Sequence, residues 1–170
     1  VTEGRFMKIG YVISPGRGDL DLVLHGFAHA LMGQGVRVAG IVQTNSDCGP
    51  GKPCDMDVEV LPDGPVLRIS QDLGPGARGC RLDAAELERA AGLVEASLEA
   101  GADLLVINKF GKQEADGRGF RPLIGMALTR GIPVIVGLNG LNKPVFEAFT
   151  EGMATSVAPE RGALVAWYQG

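Results

Sequence analysis

Four basic side chains, Lys109, Lys112, Arg118 and Arg121, fall close together in the stretch NKFGKQEADGRGFR, with Glu114 and Asp116 between them and Gly111, Gly117 and Gly119 interleaved. Clustered lysines and arginines offer point charges and bidentate donors to a tetrahedral oxyanion or a polyphosphate, and nearby glycines let backbone amides approach it. A solvated charged loop is the plainer reading. The stretch directly follows the apolar run DLLVIN, Asp103 to Asn108, which favours a loop held at the end of a strand, where binding residues gather.

A second candidate is SPGRGDLD, in which Gly16, Arg17 and Gly18 stand between an apolar run and a helical one. Glycines there allow unusual dihedrals, and the free amides of a following helix attract anions. The phosphate-loop pattern G-x-x-x-x-G-K-[ST] is absent, because no lysine and no Ser/Thr follows Gly18. Asp19 and Asp21 would repel phosphate and suit a helix cap. The alternatives are a strand-to-helix turn with an acidic cap or an anion or nucleotide site.

Cys48, Cys54 and Cys80 lie in a segment that also holds Asp47, Asp55 and Asp57. Soft thiolates favour zinc or copper(I), and three of them with water or an aspartate would make a site. No close C-x-x-C pair is present, so structural or redox thiols and a disulfide stay open beside the metal reading. His25 and His29, spaced i, i+4, share a helix face. Leu24, Phe27, Ala28 and Leu31 take the buried stripe, so the histidines are read as flank or surface residues rather than ligands. Asn139, Asn142 and Lys143 follow another apolar run and read as a turn before they read as a ligand contact. No G-x-S-x-G nucleophile elbow occurs.

The elements that position these residues alternate. Lys8 to Ser14 is a short, largely apolar strand, Asp19 onward an amphipathic helix closed by Gly33 and Gly35, and Val36 to Gln43 a second strand. Val58 to Leu61 and Val66 to Ser70 flank the turn Pro62-Asp63-Gly64 as a hairpin. Leu82 to Ala100 is a helix with Asp83 and Glu86 as a capping box, ended by Gly101. Asp103 to Asn108 is a strand, Phe120 to Arg130 a helix, Ile132 to Leu138 a strand, Lys143 to Gly152 a short helix, and Ala163 to Tyr168 a last strand. Strands alternating with helices, several of them apolar throughout, predict a three-layer α/β sandwich with a mainly parallel sheet. Its ligand rim lies beyond the carboxyl ends of the strands.

With 170 residues, 45% of them hydrophobic, the chain suffices for one α/β domain over residues 7–170, carrying a Gly/Pro/Cys-rich insertion over residues 44–81. Val1 to Phe6, ahead of Met7, are read as an expression remnant or a disordered N-terminus. The formal net charge of -4 argues against a nucleic-acid partner. No run is long enough to span a bilayer and no export signal is seen, so a cytoplasmic protein without a membrane partner is expected. The acidic surface and the insertion are compatible with a homodimer.

The segment Val106 to Glu114, VINKFGKQE, resembles the D-E-I-G-K-M-E segment that carries the second nucleotide motif of the small bacterial and archaeal nucleoside-triphosphatases of the thermophilic P-loop type. In the order GIVQ, CDM, ISQDLG, GCRLD, NKFGKQE, nearly the whole chain from Met7 looks like a bacterial family of unknown function related to those proteins and often associated with molybdate-transport genes. The resemblance implies a P-loop-like fold with degenerate motifs. Gly111, Lys112 and Glu114 match the relatives' pattern, while Asn108 stands at their magnesium-associated Asp and Lys109 at their catalytic Glu. An amide is a weaker cation ligand than a carboxylate, and a lysine cannot serve as the carboxylate base for water.

The function expected is therefore a small-anion or nucleotide-binding accessory protein in molybdenum handling, without standard magnesium-dependent triphosphate hydrolysis. Its ligand would be held by Gly16, Arg17, Gly18, Asn108, Lys109, Gly111, Lys112, Glu114 and Arg118. Two alternatives stand beside it. One is a phosphohydrolase with Glu114 or Asp116 as base, and the other a metal protein built on Cys48, Cys54 and Cys80. No cofactor is specified by the residues.

Overall fold

Parallel strands buried on both faces should be apolar at every position, and three here are nearly so. These are β1 (Ile9–Val12), β7 (Leu104–Phe110, of which Lys109 alone is exposed) and β8 (Val134–Leu138). The computed structural model describes residues 8–13, 19–45, 56–71 and 81–170. Between β1 and β7 lie α1 (Asp19–Gly33), β2 (Val38–Asn45), β3 (Met56–Leu61), β4 (Val66–Arg68), β5 (Ser70–Gln71), β6 (Arg81–Leu82) and α2 (Ala84–Ala100). After β7 come α3 (Lys112–Ala115) and α4 (Arg121–Thr129), and β8 is followed by α5 (Lys143–Thr150), β9 (Thr155–Val157) and α6 (Arg161–Gln169).

The main sheet has the order β4-β3-β2-β7-β8-β1-β9. The pairs β2–β7, β7–β8, β8–β1 and β1–β9 are parallel, and β3 and β4 extend one edge as an antiparallel hairpin. A short antiparallel pair, β5 with β6, precedes α2. The parallel strands place their carboxyl ends on one rim, because each returns through a helix packed on the sheet.

Alternation of side chains along each strand sorts the core into two sheets of contact. Leu24, Phe27, Ala28 and Leu31 of α1 and Leu164 of α6 pack on one face of the sheet, against Val12, Val42 and Val106 among others. Residues of α2, α4 and α5 pack on the other face, against Ile41, Leu105 and Ile107 among others. Phe27, Phe110, Phe120 and Phe146 are fully buried, each contributing about 1.5–3 kcal/mol of apolar transfer. The fold is thus an α/β sandwich of three layers around a mixed, mainly parallel sheet.

The local signals work where they are strong. Asp83 caps α2, its carboxylate accepting from the amides of Ala85 at 3.1 Å and Glu86 at 3.3 Å, and Gly101 ends that helix at φ 109°. The expected last strand, Ala163 to Tyr168, is instead helical, within α6. LVAWY is rich in strand-forming residues, but Leu164, Trp167 and Tyr168 all pack against the α1 side of the core, which a helical spacing allows and strict alternation does not. Gly10 makes room for the indole, since a Cβ there would come within 2.9 Å of Trp167 Nε1. Lys8 then holds the helix end, Nζ donating to the carbonyls of Tyr168 at 3.0 Å and Gly170 at 2.7 Å. The strand expected to stop at Asn108 also runs on to Phe110, and the basic stretch after it contains the single turn α3. Among the described residues no helix is long and apolar enough to cross a membrane.

Candidate functional site

Asn108 lies on β7 at the rim, and its side chain is almost wholly buried, at 2% exposure. A buried amide must satisfy both ends, and the two ends here find different elements. Its Oδ1 accepts from the Gln43 backbone N–H on β2 at 2.9 Å, and its Nδ2 donates to Asp21 Oδ1 on α1 at 2.7 Å. The orientation is set by its partners, because a backbone N–H needs an acceptor and a carboxylate needs a donor. Asn108 therefore bolts the first turn of α1 to the ends of β2 and β7.

The chain then turns around a second buried polar group. Glu114, 3% exposed, faces inward from α3. Its two carboxylate oxygens accept from the Gly111 amide at 2.9 Å and the Phe120 amide at 3.0 Å. Burial pushes its carboxyl above the usual glutamate range, outweighing the two amide bonds, with Glu88 adding to the rise. Gly119 sits at φ 59° directly over this carboxylate, and a Cβ there would collide with Oε2. Glu88 of α2 accepts from the Gly119 amide at 2.9 Å and pins the far end of the loop. Arg121 belongs to the same scaffold. Its guanidinium donates to the carbonyl oxygens of Ala115 at 3.3 Å and Glu114 at 3.5 Å, and its Cζ lies 4.7 Å from the centre of the Phe149 ring.

Of the basic cluster, Lys109, Lys112 and Arg118 remain exposed. None of the three has an ion pair among the described residues. Folding Glu114 inward removes one acid from their midst and leaves Asp116 exposed, so the segment presents three cations and one acid to solvent on a loop tied down at Gly111, Gly119 and Phe120. Such a loop can hold an anion by charge. Glu114, with both oxygens engaged by amides, faces away from that surface. On the neighbouring strand end, Asn139 Oδ1 accepts from the Asn142 amide at 2.9 Å, which is the turn expected there. Lys143 pairs with Glu147 at 3.7 Å.

Gly16, Arg17 and Gly18, and likewise Cys48, Cys54 and Cys80, lie outside the described residues. Three participants escaped the reading of the sequence: Asp21 as the partner of Asn108, Glu88 as the clamp on Gly119, and Glu59 of β3, which stands beside His25 and His29. The acidic character of Asp21 was legible, but its partner is 87 residues away.

A family model described as protein of unknown function (DUF2478) matches residues 9–167. The chain belongs to the DUF2478 family. It is also 39% identical over 165 residues to the molybdenum import ATP-binding protein ModC 2 of Bradyrhizobium diazoefficiens, a match that covers 95% of this chain and 18% of that protein. This DUF2478 chain thus spans under a fifth of that relative's length. Among solved structures it is similar to THEP1 from Aquifex aeolicus, with a TM-score of 0.65 and 16% identity over 96% of this chain and 95% of that one. It is similar as well to a human cancer-related nucleoside triphosphatase, with a TM-score of 0.60 and 18% identity over 88% and 87% of the two chains. At these identities the likeness is one of fold alone.

Proposed function

We propose that this DUF2478 protein is a binding module for a small oxyanion or the phosphates of a nucleotide, acting as an accessory in molybdenum handling, and that it does not hydrolyse triphosphates by the standard magnesium-dependent route. The observation that carries the reading is the Asn108 bridge. The resemblance places a magnesium-associated acid at this position. Here the one cation-binding atom of the side chain, Oδ1, is turned to the Gln43 amide, and the amide nitrogen faces Asp21. The residues present do not fit a magnesium ion at that point. Lys109 follows where a carboxylate base would be needed, and Glu114 is folded into the loop.

What is left at the rim is a capacity to bind. Lys109, Lys112 and Arg118 supply exposed positive charge on a loop that Glu114 and Glu88 hold in shape, and Gly16, Arg17 and Gly18 would add amides and a guanidinium from the neighbouring loop. The molybdenum assignment rests on the relative whose name is that of a molybdenum import ATP-binding protein.

Thermal melts of the purified chain with molybdate, tungstate, phosphate, ATP and ATP with magnesium test this. A ligand present at 100 times its Kd stabilises the native state by about 2.7 kcal/mol, a readily measured rise in Tm. The triple variant K109A/K112A/R118A should fold normally, since these side chains are exposed, and should lose most of that shift. An unchanged shift in the triple variant, no shift with any anion, or sustained magnesium-dependent ATP turnover by the native chain would each overturn the proposal.

A further inference from the structure

The helix α1 carries a polar stripe along the edge of its buried face: Asp21, His25 and His29 recur every four residues and so lie one above another. Asp21 meets Asn108. The two histidines meet Glu59, which rises from β3 on the side of the sheet that α1 covers, opposite Val42 of β2. His29 Nε2 lies 2.8 Å from one carboxylate oxygen of Glu59 and 3.2 Å from the other. His25 Nε2 lies 4.0 Å from Glu59 Oε2. The two imidazoles lie against each other, with centroids 4.3 Å apart and planes inclined by 35°. One ligand atom from each of the three residues falls within 4.8 Å of the other two.

From this geometry we propose that His25, His29 and Glu59 form a site for a divalent transition metal, separate from the anion-binding rim and independent of its assignment. A hydrogen bond from His29 to Glu59 accounts for one histidine only; His25 is directed at the same carboxylate without being bonded to it. A metal placed between the three would engage both rings and the acid together. Metal–nitrogen and metal–oxygen distances of about 2.0–2.2 Å in a tetrahedron set ligand atoms roughly 3.3–3.5 Å apart. To reach that, His25 must turn inward from 4.0 Å and the His29–Glu59 contact, at 2.8 and 3.2 Å, must open slightly. Two imidazoles at i, i+4 with a carboxylate from a second element make an N₂O donor set suited to zinc, nickel or cobalt rather than to magnesium or calcium, which take oxygen ligands. The side chains are 40%, 41% and 24% exposed for His25, His29 and Glu59, so a fourth coordination position is open to water.

Because the chain also contains three cysteines, the test removes them first. The C48S/C54S/C80S variant, stripped with chelator, is titrated with zinc by calorimetry and with cobalt(II) by absorption spectroscopy. One equivalent should bind, and the cobalt spectrum should show the visible bands of a four-coordinate site without thiolate charge-transfer bands in the near ultraviolet. Adding H25Q, H29Q or E59Q to that background should weaken binding by at least about tenfold, the loss that follows even removal of an outer partner of a metal ligand. The three sites are partly exposed, so melts in chelator should be little changed; E59Q provides the same test should a histidine variant fold poorly. Uptake that vanishes with the cysteines, or that survives H25Q/H29Q and E59Q, would overturn the site, as would no uptake at micromolar metal.

Discussion

Substituting Asn108→Asp would place a carboxylate at the position where the sequence resemblance implies a magnesium-associated acid, and the structure predicts that the fold resists it. The new side chain can still accept from the Gln43 amide, but the 2.7 Å donor to Asp21 becomes an oxygen facing an oxygen. Losing a hydrogen bond to a charged group costs about 1.5–3 kcal/mol. Two carboxylates about 4 Å apart repel by roughly 4 kcal/mol at an effective dielectric constant near 20. Asp21 is only partly buried, so water screens some of that repulsion and uptake of a shared proton limits the rest, leaving a net cost of about 2–4 kcal/mol at neutral pH. For a chain of this size that lowers Tm by roughly 5–15 °C. Urea or thermal unfolding of the native chain, N108D, D21N and the double variant forms a cycle that isolates the pair. The double variant exchanges amide and acid, keeps an acceptor for Gln43 N–H and restores a donor across the gap, so it should recover most of the loss. Acid pH should also soften the N108D defect. If N108D melts like the native chain at pH 7, or if D21N brings no recovery, the bridge does not hold α1 to the sheet as argued.

Two further outcomes concern the loop that carries the basic residues. Gly119→Ala should cost about 1–3 kcal/mol, combining a left-handed backbone that disfavours a side chain with a Cβ driven into the Glu114 carboxylate; chemical denaturation reads it directly, and a neutral result would mean that the loop re-forms around another partner. Glu114→Gln leaves one of the Gly111 and Phe120 amides without an acceptor, an expected loss of about 1–3 kcal/mol in acid. Its pH dependence has a definite sign. Burial raises the folded-state pKa of Glu114, so the folded chain keeps a proton that the unfolded chain has already released, and the native protein loses stability as pH rises from the ordinary glutamate range through that raised value. The native advantage over E114Q should therefore shrink as pH rises above the ordinary glutamate range of about 4.3; an advantage that grows instead would mean that the amide bonds outweigh desolvation.

Much of the architecture was legible because it is written in short-range patterns. The apolar runs of β1, β7 and β8, the stripe of Leu24, Phe27, Ala28 and Leu31, and the Asp83 and Gly101 boundaries of α2 each depend on neighbours within a turn or a strand. So does the cluster of basic residues after β7, which marked the loop. The last strand failed for the same reason: LVAWY has the composition of a strand, and only the position of α1 and the gap over Gly10 select a helix for it.

The roles within the site were decided by tertiary contact. The sequence lacks a lysine after Gly18, and its resemblance to the nucleoside-triphosphatases implied that Asn108 and Lys109 stand where a magnesium-associated Asp and a catalytic Glu would be sought. It had no means of showing that Asn108 clasps Asp21, that Glu114 turns inward while Lys109, Lys112 and Arg118 stay in solvent, or that Glu59 completes a cluster with His25 and His29. A side chain's chemistry belongs to its residue type, whereas its partner is set by which strands lie side by side. Here the crossover connections bring β2, β7 and α1 together and with them the polar pair, while antiparallel pairing of β3 with β2 carries Glu59 to the two histidines of α1.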